Sequence, residues 1–170
     1  MDEGMERELL RSVTKNLHGL KKTAERAIER LDDEDLRFSP DPESNSVAVL
    51  MQHLAGNMRS RWTDFLTSDG EKPDRNRDGE FVAAPTVSGF DLRERWERGW
   101  TCLFDALAAL TPADLARTVV VAGESFSAVD AILRQLSHYA VHVGQIIYVA
   151  KHRKWQTWES LSVPRRSPSR

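Results

Sequence analysis

The sequence predicts an all-α protein, a four-helix bundle with long crossover connections. Three observations predict it. Apolar residues recur three or four apart along four long stretches. Small polar residues with N-cap character stand in front of three of them, and prolines and glycines gather in the connections between them. Amphipathic helices of this length must each bury one face, and packing on one another is the simplest way to do it.

The first helix is expected over 3–31, where Leu10, Val13, Leu17, Leu20, Ala24, Ile28 and Leu31 share a face. The acidic run 32–35 and Ser39-Pro40-Asp41-Pro42 then read as a connection, because the prolines cannot continue a helix. The second helix starts at Asn45 or Ser46 and carries Val47, Leu50, Met51, Leu54, Met58, Trp62 and Phe65 on its apolar stripe, ending at 67–70. A connection over 69–89, rich in Gly, Pro, Asp and Arg, is long enough to form a lid or binding surface, with a plain surface excursion as the alternative. Ser88 and Asp91 have capping-box spacing for the third helix, which shows Leu92, Trp96, Trp100, Leu103, Leu107 and Leu110 on one side. Thr111-Pro112 opens a short extra turn, and 118–121 with Gly123 reads as a short extended segment, a small hairpin, before the last helix. That fourth helix covers 127–151, with Ser127 and Asp130 at cap spacing and a main apolar stripe of Val129, Leu133, Leu136, Ala140, Val143 and Ile147. Its only charges between 128 and 150 are Asp130 and Arg134, so it should be covered on most sides by bundle partners or a second subunit. One domain over 1–154 and a basic tail over 155–170 complete the organisation.

The chain has 170 residues, 40% of them hydrophobic and 29% charged, with a formal net charge of -2. These values fit a globular protein and give no reason to expect nucleic acid or an anionic membrane as partner. The single cysteine, Cys102, cannot form an internal disulfide or a thiolate cluster and reads as a small packing residue. The acidic, polar segment 1–12 lacks the basic start and apolar stretch of a signal peptide, and no run is apolar enough to span a membrane. A cytoplasmic protein is expected.

His138 and His142 stand four apart on the fourth helix, so their imidazoles point the same way one turn apart and can grip one ion. Spacing alone is weak support. Zinc proteases place Glu directly after the first His, whereas Tyr139 stands here, so no built-in carboxylate base accompanies the pair. A third ligand must come from His18, His53 or His152. His152 points away from the pair, His18 sits beside Leu17 at a boundary, and His53 lies mid-helix with Asn57 one turn on. Three neutral imidazoles would leave a coordination position open, and that ligand type suits zinc, nickel, iron or cobalt.

The motifs LMQHLAGN (50–57) and HYAVHVGQI (138–146) resemble the DinB-like, or YfiT-like, superfamily of bacterial four-helix-bundle proteins, and the resemblance covers nearly the whole chain. It implies a divalent metal, zinc or nickel, on His53, His138 and His142. The run 56–81 resembles an uncharacterised branch. Other branches are S-transferases or an isomerase using a low-molecular-weight thiol such as bacillithiol or mycothiol, or are described as metal-dependent hydrolases. Members are often homodimers.

Asn57 and Gln145 are positioned to orient an imidazole or a bound molecule, with helix-surface and packing roles as alternatives. Arg61 and Arg77, together with Arg59 and Arg75, could hold an anionic thiol, although nearby aspartates could equally balance them in a solvated loop. Trp62, Trp96 and Trp100 belong to the core stripes. The expected function is metal-dependent transfer or hydrolysis on a small-molecule substrate. The alternative is a non-catalytic metal-binding stress or sensor protein. No general acid or base is identifiable.

Overall fold

Serine side chains open three of the helices by capping amides that have no partner within the helix. In the computed structural model, which describes residues 3–82 and 87–163, Ser46 Oγ accepts from Val49 N (3.3 Å), Ser88 Oγ from Asp91 N (3.1 Å) and Ser127 Oγ from Asp130 N (3.2 Å). The described residues form α1 (Glu3–Ile28), α2 (Asp33–Arg37), α3 (Val47–Trp62), α4 (Gly89–Ala108) and α5 (Ala128–Arg153), with one hairpin of β1 (Thr118–Val121) and β2 (Glu124–Ser127). Single 3-10 turns occur at Asp78–Phe81 and Pro112–Ala116. The protein is mainly helical, as the periodicity requires.

Two of the departures from expectation have clear physical reasons. The acidic run after α1 is the short helix α2 rather than a connection. Asp32 and Asp35 cap each other's backbone amides, and Asp35 is buried, with Arg153 Nε donating to it at 2.6 Å and Lys154 pairing with it. Counter-charges from the end of α5 therefore stabilise a sequence that alone looks solvated. The second difference is that α3 stops at Trp62, short of Phe65. Asp64 adopts φ 50°, a left-handed conformation that a helix cannot continue through, and Phe65 packs on Trp62 from outside the helix (ring centroids 4.9 Å).

The long helices pack chiefly as two pairs, α3 on α4 and α1 on α5, joined by contacts between α3 and α5 and between α1 and α4. Trp62, Trp96, Trp100, Tyr139, Leu17 and Leu54 are fully buried between them. Gly99 allows α4 to approach α3 closely, since a Cβ there would come within 3.0 Å of Ala55 Cα. On α5 the buried face runs through Ile132, Tyr139, Val143, Ile146 and Val149; of the expected stripe Val143 is buried and Val129, Leu136 and Ile147 pack partly on the core, whereas Leu133 and Ala140 are exposed. A helix apolar on nearly every side carries too little contrast for periodicity to select its inner face. Its outer face shows Val141 (60% exposed) and Tyr148 (71%) to solvent.

The connection after α3 is pinned by the hairpin. Ala122 (φ 53°) and Gly123 (φ 79°) make the tight turn between β1 and β2, with both central residues left-handed. Asp69 accepts from both of their amides (2.8 and 2.9 Å), and Gly70 N donates to Val120 O (2.7 Å). Residues 83–86 of the expected 69–89 connection and 164–170 of the expected 155–170 tail lie outside the described residues. The described part of that tail lies along α1, with Arg26 donating to Leu161 O (2.7 Å) and Arg30 stacked on Trp158 (4.7 Å). No described helix is long and apolar enough to cross a membrane.

Candidate metal centre

Helix geometry brings one imidazole from α3 and two from α5 to a common point. His53 is 3% exposed, while His138 and His142 are half-buried. Their Nε2 atoms face one another: His138 Nε2 lies 3.2 Å from that of His53 and 3.0 Å from that of His142. Nitrogens on a tetrahedral zinc ion, each about 2.0–2.1 Å from the metal, stand about 3.3 Å apart. Two of the three separations are close to that spacing and all three ligand nitrogens lie within 4.8 Å of one another, so the histidines could hold a single ion.

The opposite edges of the rings decide the protonation. His53 Nδ1–H donates to Glu80 Oε2 (2.9 Å), and His142 Nδ1–H donates to Gln145 Oε1 (2.7 Å). Both rings then present an unprotonated Nε2 inward. His138 Nε2 has at most one proton, which can serve only one of its two neighbours. One pair of lone pairs is left facing without a proton between them, and a cation resolves that repulsion for all three. Carboxylate or amide partners on the outer nitrogen are the usual device for fixing ligand tautomers.

Glu80 is the residue that sequence reasoning missed. It comes from the 3-10 turn at 78–81 and is itself clamped by Arg75, whose Nε and Nη2 donate to Oε1 and Oε2 at 2.8 Å each. Burial acts to raise the Glu80 pKa, but the hydrogen bonds from Arg75 and His53 outweigh it and hold the carboxyl below its usual range. Gly56 makes room for this carboxylate, since a Cβ there would stand 2.2 Å from Oε1. Gln52 Nε2 anchors the turn through the carbonyls of Gly79 (3.0 Å) and Glu80 (3.1 Å), and Phe81 packs 4.5 Å from the His53 ring. No sequence signal singled it out, since it lies in a loop without periodicity, 27 positions from His53.

The other candidates divide. Gln145 touches His142 directly, whereas Asn57 accepts from Tyr139 Oη (3.0 Å), which in turn accepts from Trp62 Nε1 (2.9 Å), in a buried network with no hydrogen bond to any of the three rings. Arg61 bonds Glu71 (2.8 Å), which also accepts from Arg75 (3.2 Å), so it reaches the centre only through that chain. Arg77 is exposed, 3.7 Å from Asp78 and over the Phe81 ring at 5.5 Å. His18 stacks on Phe104 (3.8 Å) and His152 on Phe38 (5.8 Å), both away from the triad.

Burial, then the neighbouring His142 and His53, push the His138 pKa down to about 3, and burial also lowers that of His142. Both are neutral and ready to ligate at physiological pH. For the metal-free protein the sign follows from linkage. The unfolded chain takes up protons on these rings below about pH 6.5 while the folded chain resists, so stability falls with acidification from there toward about pH 3. Urea midpoints of metal-free protein should drop between neutral pH and pH about 5, and the drop should be smaller in His138→Ala.

A family model described as "Protein of unknown function (DUF1572)" matches residues 4–167. No curated protein matches the chain. Since the family match runs from the first turn of α1 to beyond the last helix, the protein belongs to the DUF1572 family.

Proposed function

We propose that this protein is a metal-dependent enzyme on a DinB-like four-helix bundle, acting as a thiol-dependent S-transferase or a hydrolase on a small molecule. The observation that carries the reading is the convergence of three Nε2 atoms, with the outer nitrogens of His53 and His142 committed to Glu80 and Gln145. Zinc or nickel suits an all-imidazole set. Such an ion supplies Lewis acidity toward a fourth ligand, water or a thiol such as bacillithiol or mycothiol, lowering its pKa. The chain's own part is to fix ring orientation: Glu80 and Arg75 hold His53, and Gln145 holds His142. Cytoplasmic location and a homodimer fit this reading.

One observation favours a second reading, a non-catalytic metal-binding stress or sensor protein. Glu80 is the one carboxylate hydrogen-bonded to the triad among the described residues, and it is already engaged by His53 and Arg75, leaving no group placed to move a proton.

Purified protein should retain one zinc or nickel ion per chain by elemental analysis. Conversion of a small electrophile only when a low-molecular-weight thiol is added identifies the transferase, and hydrolysis without thiol identifies the hydrolase. Neither activity in a fully metal-loaded protein selects the second reading. Absence of any bound transition metal after growth and purification with zinc and nickel present would sink both.

A further inference from the structure

We propose that a second site, separate from the three histidines, binds a small oxyanion-bearing molecule through arginines of α3 and α4. A cavity of about 660 Å³ opens between these helices and the 74–80 segment, a volume that suits a small-molecule ligand. None of the three histidines lines it. Its walls carry four arginines, Arg59, Arg75, Arg95 and Arg98, against two carboxylates, Asp74 and Glu80. The lining therefore holds an excess of two positive charges in a chain whose overall charge is -2.

The partners of these arginines separate those free to take a ligand from those that are not. Arg75 is committed, with its guanidinium clamped on Glu80 and Glu71. Arg59 pairs with Asp74 (3.0 Å) and Arg98 with Glu94 (3.3 Å), but every one of these side chains is at least half exposed, so the pairs are weak in water and exchangeable. Arg95 makes no hydrogen bond or ion pair among the described residues. Three guanidinium groups thus stand around one concavity with donors to spare, and the fork geometry of arginine matches carboxylate or phosphate oxygens. Ala55, Gly56 and Gly99 contribute no long side chain to the lining.

The site shares Glu80 and Arg75 with the outer shell of the histidine cluster but does not depend on a metal. Calorimetric titration of the metal-free 170-residue chain at low ionic strength, with inorganic pyrophosphate and with citrate in separate experiments, tests it. One-to-one binding of either probe is expected, and the stronger of the two distinguishes a phosphate from a carboxylate ligand. The double variant Arg95→Ala/Arg98→Ala should weaken that binding by about tenfold or more, since two charge-assisted contacts are removed. Both side chains are exposed, so the thermal midpoint should stay at the wild-type value and report an intact fold. The proposal is overturned if neither probe binds, or if the double variant keeps wild-type affinity. It is also overturned if His138→Ala, which leaves this cavity untouched, abolishes binding. Loss of metal by His138→Ala with anion binding retained would leave this site standing whatever becomes of the metal reading.

Discussion

His138→Ala protein is expected to lose tight zinc or nickel binding while keeping its fold. His138 Nε2 is the central nitrogen of the cluster, in contact with both other rings. Without it, two donors from different helices remain, and the pair on α5 is reduced to one. Disturbing only the outer partners of a metal ligand typically costs 10–100-fold in affinity, so removing the ligand should cost more than about a hundredfold. The half-buried ring contributes little to the core, and the metal-free variant should melt close to the metal-free wild type. The clearest readout is the stabilisation that metal confers. A ligand at a hundred times its Kd adds about 2.7 kcal/mol, and the corresponding rise in melting temperature on adding zinc should appear in wild type and vanish in the variant. Wild-type zinc content in purified His138→Ala protein would refute the three-histidine centre.

Changes at Glu80 should separate metal affinity from stability. In Glu80→Gln the amide oxygen can still accept from His53 Nδ1, but the negative charge that polarises the ring is gone. Metal affinity should fall about 10–100-fold with the fold retained. Both variants take a counter-charge from Arg75, whose side chain is only 4% exposed and which keeps Glu71 as its remaining partner, but Glu80→Ala also removes the acceptor oxygen that the Gln amide retains. Breaking one side of a buried ion pair costs about 3–5 kcal/mol, so Glu80→Ala should show a large loss of stability by urea denaturation even without metal. Wild-type stability in Glu80→Ala would mean that the Arg75 clamp contributes nothing to the fold.

What the sequence disclosed and what it concealed follow from range. Ser46, Ser88 and Ser127 were legible as caps because a cap acts within three residues. The His138–His142 pair was legible because a helical turn is a local ruler. The placement of His53 beside that pair depends on how α3 packs against α5, and it came from the motif resemblance rather than from spacing. Glu80 was illegible. It reaches His53 across 27 positions from a loop without periodicity, and nothing local distinguishes it from the other acids there. Asn57, one turn from His53, looked like its natural companion, but the helix turns that side chain toward Tyr139. The acidic α2 was concealed for the same reason as Glu80, since the charges that stabilise it, Arg153 and Lys154, lie more than a hundred residues away.

The stretch leaving α3 is fastened at two points, by Asp69 on the hairpin turn and by Glu80 on His53. Backbone tethered in this way cannot swing as a flap over the histidines. Its hydrogen-bonded amides, those of Gly70, Lys72, Arg75 and Glu80 among them, should be protected from hydrogen exchange, opening in concert with the hairpin and the centre of α3. A molecule arriving at the imidazoles meets a wall that folding has already built, so its association rate should be governed by diffusion and access rather than by the ordering of this segment.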